Sequence, residues 1–188
     1  PKILSLYELV NKRTPITEQR WIVEHVGIFD ADEISRLSDL GVVLQAYSNR
    51  WIYQEGEQHR AALGEDGAAK VLPMRALIDA GVHVSLATDN VPPTMFDPIW
   101  HVVARRPRDG DTVLAPDQRI TRMEALAAAS REGAWLSLEE DRKGTLEVGK
   151  LADIAIFDKD FLTVEEGEIS DIKADVTITG GRVVHEVG

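Results

Sequence analysis

This sequence predicts an α/β fold with parallel strands, and three observations carry the prediction. Short apolar runs, Trp21 to Val26, Val42 to Ala46 and Val82 to Ala87, alternate with segments that carry helix start and stop signals. Turns from helix to strand are short and segments from strand to helix are long, the asymmetry of a (β/α) barrel or an open parallel sheet. The first and third runs lead into metal-ligand residue types, His25 and Asp89, at the carboxyl edge where such folds place their sites.

In chain order, Ile3 to Asn11 has the pattern of an amphipathic helix. A start on Pro1 rather than methionine, inside that pattern, creates the expectation of processing or of an upstream portion. Thr14-Pro15 ends the helical pattern, and the strand at Trp21 to Val26 follows. Asp30 is placed to cap a helix running to about Leu40, which Gly41 closes. After the strand at Val42 to Ala46, the stretch from Tyr47 to about Ala69 shows little periodicity and is expected to be a long loop, a length that usually signals function. Pro73 opens a helix ending at Gly81, before the third strand.

Further on, Asp97-Pro98 precedes a helix holding His101, and Thr121-Arg122-Met123-Glu124 is a capping box. It starts a long helix through Trp135, apolar on a face at Leu126, Ala127 and Ala134. From Gly144 the character changes to glycine turns and alternating strands, Leu151 to Phe157, Asp175 to Thr179 and Arg182 to Glu186, the last two joined by a Gly180-Gly181 hairpin turn. We therefore divide the chain into residues 1–143, the α/β part, and 144–188, a small antiparallel β segment.

Composition narrows the function. The 188 residues are 44% hydrophobic, ample for a packed core. Acidic residues outnumber basic ones, 32 to 21, for a formal charge of -11 without any Lys/Arg-rich block, which argues against a nucleic-acid partner. With no cysteine, thiolate metal sites, disulfides and a cysteine nucleophile are excluded, leaving His, Asp and Glu as ligands. A cytoplasmic setting fits this. No apolar run approaches the ~20 residues of a membrane-spanning helix, so no membrane partner is expected.

Asp89 precedes Asn90-Val91-Pro92-Pro93, which can continue neither a strand nor a helix. Two readings fit it: a carboxylate that binds metal and accepts a proton, or one that caps the turn through its own backbone. His25 sits beside Glu24, and strand alternation lets only one of the pair face the site. As a lone strand-end histidine it fits ligation or a hydrogen-bonded core role. His83, His101 and His185 are assigned structural positions and His59 a solvated loop. Asn49-Arg50-Trp51-Ile52-Tyr53 lines a substrate pocket or forms a lid over the core.

Several segments together resemble the C-terminal half of the amidohydrolase superfamily, in its amidohydrolase-3-like subgroup of formamide deformylase-type enzymes. They are Arg20 to His25, Asp79 to Val82, Ala87 to Asp89, Lys143 to Ile154 and Val176 to Val184, so the likeness covers nearly the whole chain. It implies strands six to eight of a (β/α)8 TIM barrel, plus the C-terminal β segment of a small composite β-sandwich. It implies His25 as sixth-strand metal ligand and Asp89 as eighth-strand ligand and proton-handling catalytic residue. Asn49, Trp51, Tyr53 and Asn90 are the substrate-side residues that go with them. The implied cofactor is a divalent metal, zinc first, as one or two ions, and the implied substrate a small amide-type molecule.

The departures are as informative. The family's first-strand His-x-His pair, fourth-strand bridging lysine or acid and fifth-strand histidine have no counterparts in these residues. Three βα units cannot close an eight-stranded barrel. The expectation is therefore a chain that works with the missing N-terminal barrel half or a complementing chain, with self-association into a homo-oligomer left open.

Overall fold

Parallel pairing needs crossovers, and the sequence supplies them in the order strand, helix, strand, helical segment, strand. The computed structural model describes residues 2–89 and 94–188. Helix α1 (Lys2–Asn11) is followed by β1 (Ile22–Glu24), α2 (Ala31–Asp39) and β2 (Val43–Ala46). Next come α3 (Gly56–Ala68), α4 (Met74–Asp79) and β3 (Val84–Leu86). The strands form one parallel sheet in the order β1-β2-β3, with Ile22 opposite Val43 and Leu44 opposite Val84. This sheet is the α/β core that the apolar runs predict, although each strand is shorter than its run.

Period-two alternation divides the sheet's faces. Val23, Leu44, Ala46, Val84 and Leu86 share one face and join a continuous core with Leu37 of α2 and Leu77 of α4. The other face carries Ile22, Glu24, Val43, Gln45 and Ser85, of which Ile22 and Glu24 are exposed. Asp30 caps α2 as expected: its carboxylate accepts from the Glu33 N–H at 2.9 Å, while Glu33 accepts from the Asp30 N–H at 3.1 Å.

The stretch from Tyr47 to Ala69 differs from the expected loop. It holds a π-helical turn at Asn49–Gln54 and then α3, kinked at Gly64, where φ is 70°. A π turn lacks the 3.6-residue period, and the glycines of α3 weaken its amphipathic signal, so neither shows in hydrophobic periodicity. His59 differs as well: it is a helical residue with its ring stacked on Trp51, centroids 5.2 Å apart, not a solvated loop residue.

Beyond β3, α5 (Phe96–Ala104) ends on Arg105 in left-handed conformation, φ 49°. Its guanidinium is fully buried, pairs with no carboxylate among the described residues, and donates to the carbonyls of Leu114 (2.7 Å), Leu72 (2.9 Å) and Val71 (2.8 Å). Burial pulls its pKa down to about 9, leaving it cationic at neutral pH. The capping box at Thr121 is present, but the long helix it starts divides into α6 (Arg122–Ala129) and α7 (Arg131–Leu136). Ser130 makes the break, with φ -134° and its hydroxyl donating back to the Leu126 carbonyl at 2.6 Å. The most buried positions are Ala125, Ala128 and Ala134, so the inward face is rotated from the expected Leu126 and Ala127.

At the foot of the sheet, Arg20 precedes β1 and donates to the Trp135 carbonyl and to Glu140. Its guanidinium also lies 4.1 Å from the centre of the Trp135 ring, which stacks on His83 at 3.7 Å. The Arg20 hydrogen bond holds the Glu140 carboxyl down at about 2. The tail forms an antiparallel sheet, β4 (Ile154–Phe157), β5 (Ala174–Thr179) and β6 (Arg182–Glu186), with β5 in the centre. It does not stand apart, since Phe96 of α5 meets Phe157 edge-on at 4.8 Å and Arg122 donates to the Phe161 carbonyl at 2.6 Å.

Candidate functional site

Parallel strands present their carboxyl ends at one edge, so His25 after β1, Tyr47 after β2 and Asp89 after β3 share a rim. His25 and Asp89 both have left-handed backbone, φ 60° and 56°, and both are exposed. Histidine and aspartate enter this region more readily than most residues, but still at a cost that marks sites where side-chain direction matters. For His25 the effect is specific. Glu24 lies on the open face, so strict alternation would send His25 toward the helices; the positive φ breaks the alternation.

The imidazole of His25 stacks on Tyr47, centroids 5.1 Å apart and planes 29° apart. The backbone carbonyl of His25 accepts from the Trp51 indole N–H at 3.0 Å. Trp51 lies flush against Gly27, where any Cβ would collide with the indole ring. Gly27 is held in turn, its carbonyl accepting from the Leu72 N–H at 2.5 Å, while the Phe29 N–H donates to the Lys70 carbonyl at 3.0 Å. Nothing in the sequence marks Tyr47 and Gly27, because a lone tyrosine and a lone glycine acquire their partners only in the fold.

Beneath the rim, Ser48 and Asn49 are buried. The Ser48 hydroxyl is 3.4 Å from both the Pro98 carbonyl and His101 Nδ1. Burial drives His101 down to about 3, so it is neutral under ordinary conditions. Tyr53 stacks on His101 at 4.8 Å and meets Trp100 edge-on at 5.9 Å. Of the residues assigned to substrate, Asn49 is thus buried, Trp51 and Tyr53 are partly packed, and Asn90 lies outside the described residues.

The donor chemistry suits a divalent cation: one imidazole and one carboxylate, exposed at one edge. Strands are spaced ~4.8 Å apart, so the ends of β1 and β3 stand on the order of 10 Å apart. Two ligands fall short of the three protein groups plus water of a catalytic zinc site. Among the described residues no group of three or more His, Asp or Glu is placed to hold an ion. An apolar cavity of about 560 Å³ lined by Met95, Phe96, Leu126, Phe157 and Ile172 lies elsewhere, and neither His25 nor Asp89 borders it. No helix among the described residues is long and apolar enough to cross a membrane.

Comparison with known proteins bears on the fold and the family. The chain is 30% identical to N-substituted formamide deformylase of Arthrobacter pascens over 188 residues, covering 98% of this chain and 34% of the relative. It is 32% identical to imidazolonepropionase of Micrococcus luteus over 145 residues, covering 70% of this chain and 33% of the relative. The chain thus spans about a third of the length of these relatives. In fold it is similar to a metal-dependent hydrolase of Pyrococcus horikoshii OT3, TM-score 0.70 at 24% identity, over 88% of this chain and 34% of that one. It is also similar to a zinc-bound atrazine chlorohydrolase of Arthrobacter aurescens TC1, TM-score 0.63 at 22% identity, over 93% of this chain and 38% of that one. The family model that matches residues 2–185 is the amidohydrolase family, and the chain belongs to that family.

Proposed function

We propose that this chain forms strands six to eight of a metal-dependent amidohydrolase barrel, with residues from Gly144 onward contributing to a composite β-sandwich. The reaction is hydrolysis of an amide-type C–N bond in a small molecule, and the rest of the barrel comes from an N-terminal half or a complementing chain. The observation that supports this most is that two strands of one parallel sheet lead to His25 and Asp89 at the same rim, both with left-handed backbone.

His25 and Asp89 hold the ion, zinc first, together with ligands from the remaining strands. Once bound, such an ion would polarise a carbonyl and lower the pKa of water from its bulk value to about 7. Asp89 also takes the proton released by the attacking water and returns it to the departing nitrogen, giving an amine and a carboxylic acid. Asn49, Trp51, Tyr53 and Asn90 form the substrate side. A second reading, hydrolysis at a cyclic C–N bond, is favoured by the likeness to imidazolonepropionase, whose name places the nitrogens in a ring.

The test is metal analysis of the assembled barrel followed by turnover of N-substituted formamides, N-acyl amino acids and cyclic ureides. Stoichiometric metal with formamide turnover supports the first reading, and turnover of ureides alone supports the second. An assembly without stoichiometric zinc, iron or manganese defeats both.

A further inference from the structure

We infer that Trp51 and Tyr47 are positioning residues for His25, fixing its backbone and its ring plane respectively; the inference rests on the reading of His25 as a metal ligand. A ligand on a left-handed residue at a strand end has no ladder hydrogen bonds beyond it, so its direction depends on what holds that one residue. Here the carbonyl of His25 is held by the Trp51 N–H at 3.0 Å. The imidazole is held by the face of Tyr47 at 5.1 Å. With backbone and ring plane set, rotation of the imidazole about its side-chain torsions is restricted.

The support continues behind Trp51. Its indole rests on Gly27, stacks on His59 at 5.2 Å and has the Arg50 guanidinium 5.5 Å from its centre. Gly27 and Phe29 are pinned to Leu72 and Lys70, and Arg105 grips the carbonyls of Leu72 and Val71. A connected path therefore runs from the buried Arg105 through residues 70–72 and 27–29 to the residue that bears the imidazole. Trp51, half-buried and committed through its N–H to a backbone carbonyl, thus supports the ligand as well as bordering the substrate side. Outer partners that orient a ligating histidine typically govern metal affinity by 10–100-fold.

The experiment uses the assembled hydrolase with two readouts. In the metal-stripped protein, the ring protons of His25, assigned with His25→Gln, are followed by NMR; stacking on Tyr47 shifts them upfield. In the same protein, zinc affinity is measured by competition with a chromophoric chelator. Trp51→Phe keeps a ring over Gly27 but deletes the donor, and is expected to move the His25 resonances and weaken zinc by about 10-fold or more. Tyr47→Leu should abolish the upfield shift and weaken zinc similarly, while Tyr47→Phe restores both.

Unmoved His25 resonances in Trp51→Phe and Tyr47→Leu, with zinc affinity unchanged, overturn the inference. So does a Tyr47→Phe as impaired as Tyr47→Leu, which would assign the effect to the hydroxyl. If the unsubstituted assembly takes up no zinc while the NMR shifts behave as expected, the functional reading fails and the framework around His25 is supported on its own readout.

Discussion

Ser48 Oγ and His101 Nδ1 stand 3.4 Å apart under the rim, joining the segment that follows β2 to the buried face of α5. Burial of the histidine in this pair gives a pH dependence. His101 has its pKa lowered from 6.5 to about 3 by burial, so the unfolded chain takes up a proton at higher pH than the folded one does. The contribution to stability is complete above pH 6.5 and falls as pH drops, by about 1.4 kcal/mol per unit, until about pH 3. Denaturant melts between pH 7 and 4 should show this slope, and His101→Gln should flatten it. An equally steep slope in the variant would remove His101 as its source.

Arg105 is a buried cation whose guanidinium donates to three carbonyl oxygens among the described residues. Arg105→Ala strands three acceptors, and the expected loss is about 3 kcal/mol or more in urea unfolding. Arg105→Lys should recover only part of this, because one ammonium cannot reproduce the guanidinium fork. Full recovery in the lysine variant would mean that charge alone is what the position requires.

Glu140 owes its lowered pKa of about 2 first to the hydrogen bond from Arg20. A depressed carboxylate stabilises the fold above its ordinary value of 4.5 and loses that contribution as pH falls toward 2. Acid titration followed by circular dichroism should therefore show a transition that shifts in Glu140→Gln, whose neutral amide has nothing to titrate. Identical acid midpoints would show that Arg20 and Glu140 contribute nothing measurable to the transition.

Asp89→Asn in the assembled hydrolase should lower kcat by more than ~100-fold, since it removes both a ligand charge and a proton acceptor. Metal content measured on the same sample separates the two losses. A near-normal rate would end the assignment.

The parallel sheet was legible because Val42 to Ala46 and Val82 to Ala87 are too short and apolar for anything but buried strands, and because Asp30 and Thr121 carry capping boxes that act within four residues. His25 and Asp89 were legible as residue types at strand ends. What the sequence hid is non-local or aperiodic. The π turn at Asn49–Gln54 has no period-3.6 pattern, and the break at Ser130 follows from a side-chain hydrogen bond in an otherwise helical run. Tyr47, Trp51 and Gly27 converge on His25 only because two strands align in register. Their identities carry no mark of it.

The Arg20–Glu140 contact joins residues 120 positions apart. On a translating ribosome, the first parallel strand therefore emerges long before its lower anchor has been synthesised, and Trp135 and Glu140 must clear the exit tunnel before the foot of the sheet can lock. Until then the neighbouring ring of Tyr7 is what Trp21 packs on beside the strand, and the lock arrives as a late step.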